Sequence, residues 1–187
     1  MKVKITPKAI LIPTISLFLI CIVVTAALAL TNNVTADKIA ANELSSKNES
    51  MKTVCPEAQF FDELIPDTLY KGTNEGGAPL GYAISTATQG YGGQVKVMTG
   101  ITDGKIIGVD VFYNDDETPG LGKNTSNESF TDQYKGLTTD SPISVSKDSS
   151  QGQTVDAVTS ATISSRAVTK AVNEALEIYN ENIKEGE

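Results

Sequence analysis

The chain has no histidine, no tryptophan and only two cysteines among its 187 residues, and aromatic residues make up 6% of it. Each shortage removes a kind of chemistry. Without an imidazole there is no Ser-His or Cys-His nucleophile, no His-ligated zinc and no histidine proton shuttle. Two lone thiols cannot build a thiolate metal site or an iron–sulfur cluster, so no metal site is expected. Basic residues are also scarce, 15 Lys and Arg against 23 Asp and Glu, for a net charge of −8. That balance leaves no excess of cations to displace counterions from a phosphate backbone, which argues against nucleic acid as a partner.

A near-neutral mean hydropathy of −0.11 hides two unlike parts. Ala9 to Leu30 is free of charge and reads AILIPTISLFLICIVVTAALAL. As a helix it would extend ~33 Å, enough for the ~30 Å hydrocarbon core of a bilayer. Lys2, Lys4 and Lys8 precede it and the next charge is Asp37, a bias that sets residues 1–8 in the cytoplasm and the rest outside, on a single-pass protein of the cell (inner) membrane. The alternative is a cleaved signal peptide, because Ala27-Leu28-Ala29 has the A-x-A form. The run exceeds the ~7–15 apolar residues of an ordinary signal h-region, which favours an anchor over residues 9–30. Cys21 reads as a packing residue of that span. The first 30 residues hold three Lys and no acid, so 12 basic and 23 acidic residues leave −11 on the outer part. Cys55 is then the lone thiol outside, with no partner for an internal disulfide; its simplest reading is a small core hydrophobe.

Residues 31–54, rich in Ala, Lys, Glu and Asn, predict a helical stalk, and residues 55–187 a single domain. Cys55 to Leu64 predicts a short helix with Pro56 at its start. From about residue 80 to 113 apolar and small residues alternate, with Asp103-Gly104 as a hairpin signal, which predicts an antiparallel meander. Val168, Ala171, Val172, Ala175, Leu176 and Tyr179 fall on one helical face, with Ser164 or Ser165 as N-cap. A C-terminal helix packed on an antiparallel sheet makes the expected fold class α+β.

Two islands fit neither core nor solvent face. Glu117-Thr118-Pro119-Gly120-Leu121-Gly122, with Gly90-Tyr91-Gly92-Gly93 upstream, lets backbone run close to a flat group, or is a plain Pro-Gly turn. Asp156-Ala157-Val158-Thr159-Ser160-Ala161-Thr162-Ile163-Ser164-Ser165 gathers hydroxyls before a helix. It suits a phosphate at the helix N-terminus, or simply caps the helix with no ligand.

In order and spacing these islands resemble the FMN-binding domain family, which includes the G subunit of the Rnf electron transport complex and the C subunit of the sodium-pumping NADH:quinone reductase. The similarity spans essentially the whole chain, and its short length is more like the Rnf member. The resemblance implies FMN joined by a phosphoester to Thr162, the last residue of a motif whose usual Ser-Gly-Ala-Thr is here Thr159-Ser160-Ala161-Thr162. It implies cofactor contacts from Thr118, Pro119, Gly120, Leu121, Gly122, Thr159, Ser160, Ala161 and Ser164, with Leu121 against the ring. It also implies recognition through Asp156 by a flavin transferase that uses FAD and Mg²⁺. If the usual Gly has positive φ, Ser160 carries a strain of order 1–2 kcal/mol. On this likeness Ser160, Ser164 and Ser165 donate to the phosphate, and Asp115, Asp116 and Glu117 lower the flavin potential. No residue acts as acid or base, since the cofactor carries the chemistry. The expected role is electron relay among the other subunits of an Rnf-type ion-translocating ferredoxin:NAD⁺ oxidoreductase. The alternatives are an FMN-binding domain of another exported reductase, or an anchored binding module without flavin.

Overall fold

The computed structural model describes residues 7–146 and 152–184, so Lys2 and Lys4 lie outside the described residues. The chain divides into two compact units, Met1–Asn42 and Glu43–Glu187. A single helix, α1, runs over Pro7–Val54. Its part within the first unit is apolar, with a window of mean hydropathy 2.6 that is 0% buried, and it is long enough to cross a membrane. Thr14 and Thr31 turn their hydroxyls back onto the carbonyls of Ile10 and Ala27, at 2.8 and 3.0 Å, so their polar atoms are satisfied along the apolar run.

The second unit is built on five antiparallel strands in sequence order: β1 (Phe60–Ile65), β2 (Leu69–Thr73), β3 (Pro79–Gln89), β4 (Gln94–Thr102) and β5 (Lys105–Tyr113). The expected meander is present as β3 to β5. Thr102 pairs with Lys105 across Asp103 and Gly104, whose φ values of 49° and 68° are those of the mirror-image turn that suits a two-residue hairpin. The helix expected over Cys55–Leu64 is not formed. Gln59 donates to the Thr73 carbonyl and Phe60, Phe61 and Asp62 pair with Thr73, Gly72 and Lys71, making β1 an edge strand. A register shift between Glu63 and Ile65 lets Phe61 pack on one face of the sheet and Ile65 on the other.

Each face of the sheet has its own apolar cluster. The C-terminal helix α3 (Thr162–Asn182) covers one, setting Val168, Ala171, Val172, Ala175 and Leu176 against Ile84, Val95, Val97 and Ile101. The small residues of α3 bring its backbone close enough for Thr86 and Thr88 to donate to the carbonyls of Ala171 and Ala167, at 2.9 and 2.8 Å. The last turns of α1 cover the other face, where Met51 and Val54 pack with Cys55, Tyr70, Ala83 and Met98. A Cβ on Gly100 would lie 2.5 Å from the Val54 carbonyl oxygen, so this approach depends on glycine. Lys47 bonds Asp67 at 3.1 Å and lies over the Tyr70 ring, while Lys96 pairs with Glu43. The segment expected only to carry the chain thus ends as part of the core.

Between β5 and α3 the chain forms two 3₁₀ turns (Gly122–Ser126 and Asp132–Tyr134), a one-turn helix α2 (Glu128–Thr131) and a short parallel pair, β6 (Ile143–Val145) with β7 (Gln153–Val155). Tyr134 and Thr169 share a buried hydrogen bond of 2.8 Å, and Asn173 pairs with both backbone groups of Ile143. These bonds hold the crossover against α3, which brings the loop after β5 beside the start of that helix.

Candidate functional site

The two islands of the sequence meet at the N-terminus of α3. In the first, Leu121 N–H donates to the Thr118 carbonyl at 3.1 Å. Pro119 occupies the second position of that turn and Gly120, with φ +76°, the third, which is the residue pattern of a type II turn. Lys123 N–H also donates to the Thr118 carbonyl, and the Asn124 amide to the Gly120 carbonyl at 2.8 Å, which closes the loop on itself. In the second island Ala161 N–H donates to the Val158 carbonyl at 3.0 Å across Thr159 and Ser160. Ser160 has φ +61°, in the left-handed region, so the condition under which it carries strain is met.

Ala161 is the N-cap of α3 and Thr162 its first residue, with no side-chain capping bond. The first N–H groups of the helix therefore lack intrahelical partners and point out of its end. The expectation that Ser164 or Ser165 caps the helix is not met, since Ala161 takes that place. Both serines are buried at the start of the helix. Ser164 donates to Glu117 Oε2 at 2.7 Å. Ser165 donates to the Ala161 carbonyl at 3.0 Å and accepts from Val158 N–H.

A cleft of about 520 Å³ opens at this junction, lined by Thr118, Leu121 and Gly122 of the first island and Ser160, Ala161, Thr162 and Ser164 of the second. Tyr91 and Ile163, 68% and 53% exposed, complete its apolar rim beside Leu121 at 40%. Neither stood among the expected cofactor contacts. An aromatic residue set between glycines was the available signal for Tyr91. A second cleft of about 500 Å³ adjoins the first across Leu121 and Ser160, and takes in Gly120, Asp156 and Thr159. Pro119 is exposed and lines neither cleft. Asp156 is exposed, accepts from Ser146 Oγ at 2.7 Å, and has its backbone held on both sides by the Gln133 amide.

Glu117, expected to put negative charge near the flavin, lies in the wall of the cleft with that carboxylate turned to internal donors. It is 2% exposed and its carboxylate is used internally. Oε1 accepts from the N–H groups of Tyr91 and Gly92, at 2.7 and 3.3 Å, and Oε2 from Ser164. Asp115 and Asp116 remain exposed beside it.

The fold and the site together define an FMN-binding domain. The FMN-binding domain model matches residues 90–177, and the RnfG N-terminal region matches residues 1–54. The G subunit of the proton-translocating ferredoxin:NAD(+) oxidoreductase complex of Clostridium ljungdahlii is 33% identical, over 88% of this chain and 86% of that protein. The G subunit of the Na(+)-translocating complex of Acetobacterium woodii is 32% identical over 95% of each. The chain belongs to the RnfG family, the G subunits of these oxidoreductase complexes. Among solved structures it is similar to the C subunit of the Na(+)-translocating NADH-quinone reductase of Parabacteroides distasonis, with 25% identity and a TM-score of 0.50. That likeness spans 59% of each chain, less than two thirds of the neighbour's length.

Proposed function

We propose that the chain carries FMN covalently, as a phosphoester on Thr162, and relays electrons as the G subunit of an Rnf-type ion-translocating ferredoxin:NAD⁺ oxidoreductase. The observation that carries this reading is Thr162 itself. It is half-buried, it is the first residue of α3, and it lines a cleft whose opposite wall is the Thr118–Gly122 turn. A phosphodiester there keeps one negative charge at the positive end of a 21-residue helix, the place where an anion is stabilised, by up to about 1 kcal/mol at an exposed site. The cleft volume lies within the ~300–1,000 Å³ usual for cofactor sites, and its apolar rim suits a flat aromatic ring.

Bound FMN supplies the redox chemistry; the chain's own residues bind, orient and tune it. Tyr91, Leu121 and Ile163 offer apolar contact, and the positive N-terminal end of α3 answers the phosphate. Asp115 and Asp116 add negative charge, which disfavours the anionic reduced form to the extent that solvent does not screen it. Asp156 and Thr159 share the neighbouring cleft, an approach from which a flavin transferase using FAD and Mg²⁺ reads the motif during maturation. The apolar start of α1 anchors the protein with its N-terminus in the cytoplasm and the flavin domain outside. A covalent link then keeps the cofactor from being lost.

The test is co-expression of the full chain with a flavin transferase, followed by intact mass and in-gel flavin fluorescence. The expected result is an FMN-phosphoryl increment in wild type and its loss in Thr162→Ala. A flavin fluorescent band that persists in that variant on a denaturing gel sinks the assignment. A wild type without the increment favours an anchored module without flavin. Co-purification with multi-span and iron–sulfur subunits distinguishes the Rnf role from service in another exported reductase.

A further inference from the structure

We infer that Glu117 is a positioning residue of the flavin site, locking three separate segments into one wall around Thr162; the inference rests on the flavin reading above. Its two carboxylate oxygens face different segments. Oε1 holds the N–H groups of Tyr91 and Gly92, fixing the loop that carries the exposed Tyr91. Oε2 holds the Ser164 hydroxyl, two residues beyond Thr162 on the first turn of α3. Glu117 itself immediately precedes the turn that presents Thr118 and Leu121 to the cleft.

The surroundings are shaped to the carboxylate. A Cβ on Gly122 would overlap Oε2 and a Cβ on Gly90 would overlap Oε1, so two glycines leave the space that it fills. A carboxylate buried to 2% exposure among three donors is a costly arrangement to keep unless each donor is in place. Its length matters as much as its charge. Aspartate, one methylene shorter, cannot reach Tyr91 and Ser164 together. Glutamine has the reach, keeps a carbonyl oxygen for the two N–H groups and removes the negative charge.

The experiment compares Glu117→Gln, Glu117→Asp and Glu117→Ala in the full chain co-expressed with a flavin transferase. It reads attached FMN by intact mass, thermal unfolding, and the visible spectrum and midpoint potential of the attached flavin. Expected are at least a twofold loss of attached FMN in the Asp and Ala variants and substantial rescue in Gln. The rescued Gln protein should show an upward shift of midpoint potential and an altered visible band, because one buried negative charge has left the flavin's surroundings. If Glu117→Ala does not fold, the contrast between Gln and Asp decides. Wild-type attachment in all three variants, or a Gln variant with wild-type potential and spectrum, overturns the inference even where unfolding temperatures fall. A wild type lacking the mass increment removes the flavin reading, and this inference with it.

Discussion

Ser160 sits at φ +61° between Thr159 and Ala161, where a Cβ costs about 1–2 kcal/mol relative to a relaxed backbone. Replacing it by glycine relieves that strain but adds freedom to the unfolded chain, so Ser160→Gly should change stability by no more than about 1 kcal/mol, towards stabilisation. Ser160→Val, β-branched at the same φ, should cost about 1–2 kcal/mol in denaturant unfolding. Leu121 makes a different test. It is 40% exposed on the rim of the cleft and belongs to neither core cluster, so Leu121→Ala should leave FMN attached while shifting the flavin's potential or visible spectrum. Unchanged spectrum and potential would count against that contact. Cys55 offers a pH readout, because burial pushes its thiol up to about 12 from 9.0. Above pH 9 the unfolded chain loses this proton while the folded chain keeps it. Stability should therefore fall as pH rises from about 9 towards 12, by up to about 1.4 kcal/mol per unit, and Cys55→Ala should flatten the slope. At this scale the motif residues could be read from the sequence, but the partners of Glu117 and Ser164 could not. They lie 26 and 47 positions apart, and only the fold brings them together.

Elements whose determinants are local were the legible ones. Asp103-Gly104 contains its own turn chemistry, and the stripe from Val168 to Tyr179 contains its own periodicity, so the hairpin and α3 follow from neighbouring residues. The Cys55–Leu64 segment failed for the complementary reason. Phe60, Phe61 and Leu64 fit a helical face as well as a strand, and what decides is pairing with Leu69–Thr73, together with a bulge that redirects Ile65. The docking of α1's last turns was invisible for a related reason. It depends on the absence of side chains at Gly100, whose significance appears only when Val54 lies against it. Gly100→Ala should force β4 and the end of α1 apart and destabilise the second unit by about 1–3 kcal/mol. Amide exchange should then rise around Met51 and Val54 while the α3 face stays protected, and equal loss of protection on both faces would contradict this docking role.

The charge of the whole molecule is strongly segregated: three lysines and no acid in the first 30 residues, and a balance of −11 in the remainder. The positive-inside bias and the long apolar run of α1 act in the same direction, and the acidic domain contributes little to orientation because acidic residues weigh weakly in it. A reporter fused after Glu187 separates the two possible orientations. Alkaline phosphatase, which is active only outside the cytoplasm, should be active there, and a fluorescent protein that folds only in the cytoplasm should be dark. Lys2, Lys4 and Lys8 changed together to Glu should weaken the preference and divide the population between orientations. Retained phosphatase activity in that triple variant would assign orientation to the length and hydrophobicity of the run instead of its flank. Intact mass of the same fusions tests the anchor against the signal-peptide alternative, since cleavage after Ala29 would remove the apolar run and release the flavin domain from the membrane fraction. An uncleaved, membrane-bound chain with an active external reporter would put the Thr162 cleft on the outer side, where the proposed covalent link at that residue would prevent cofactor loss.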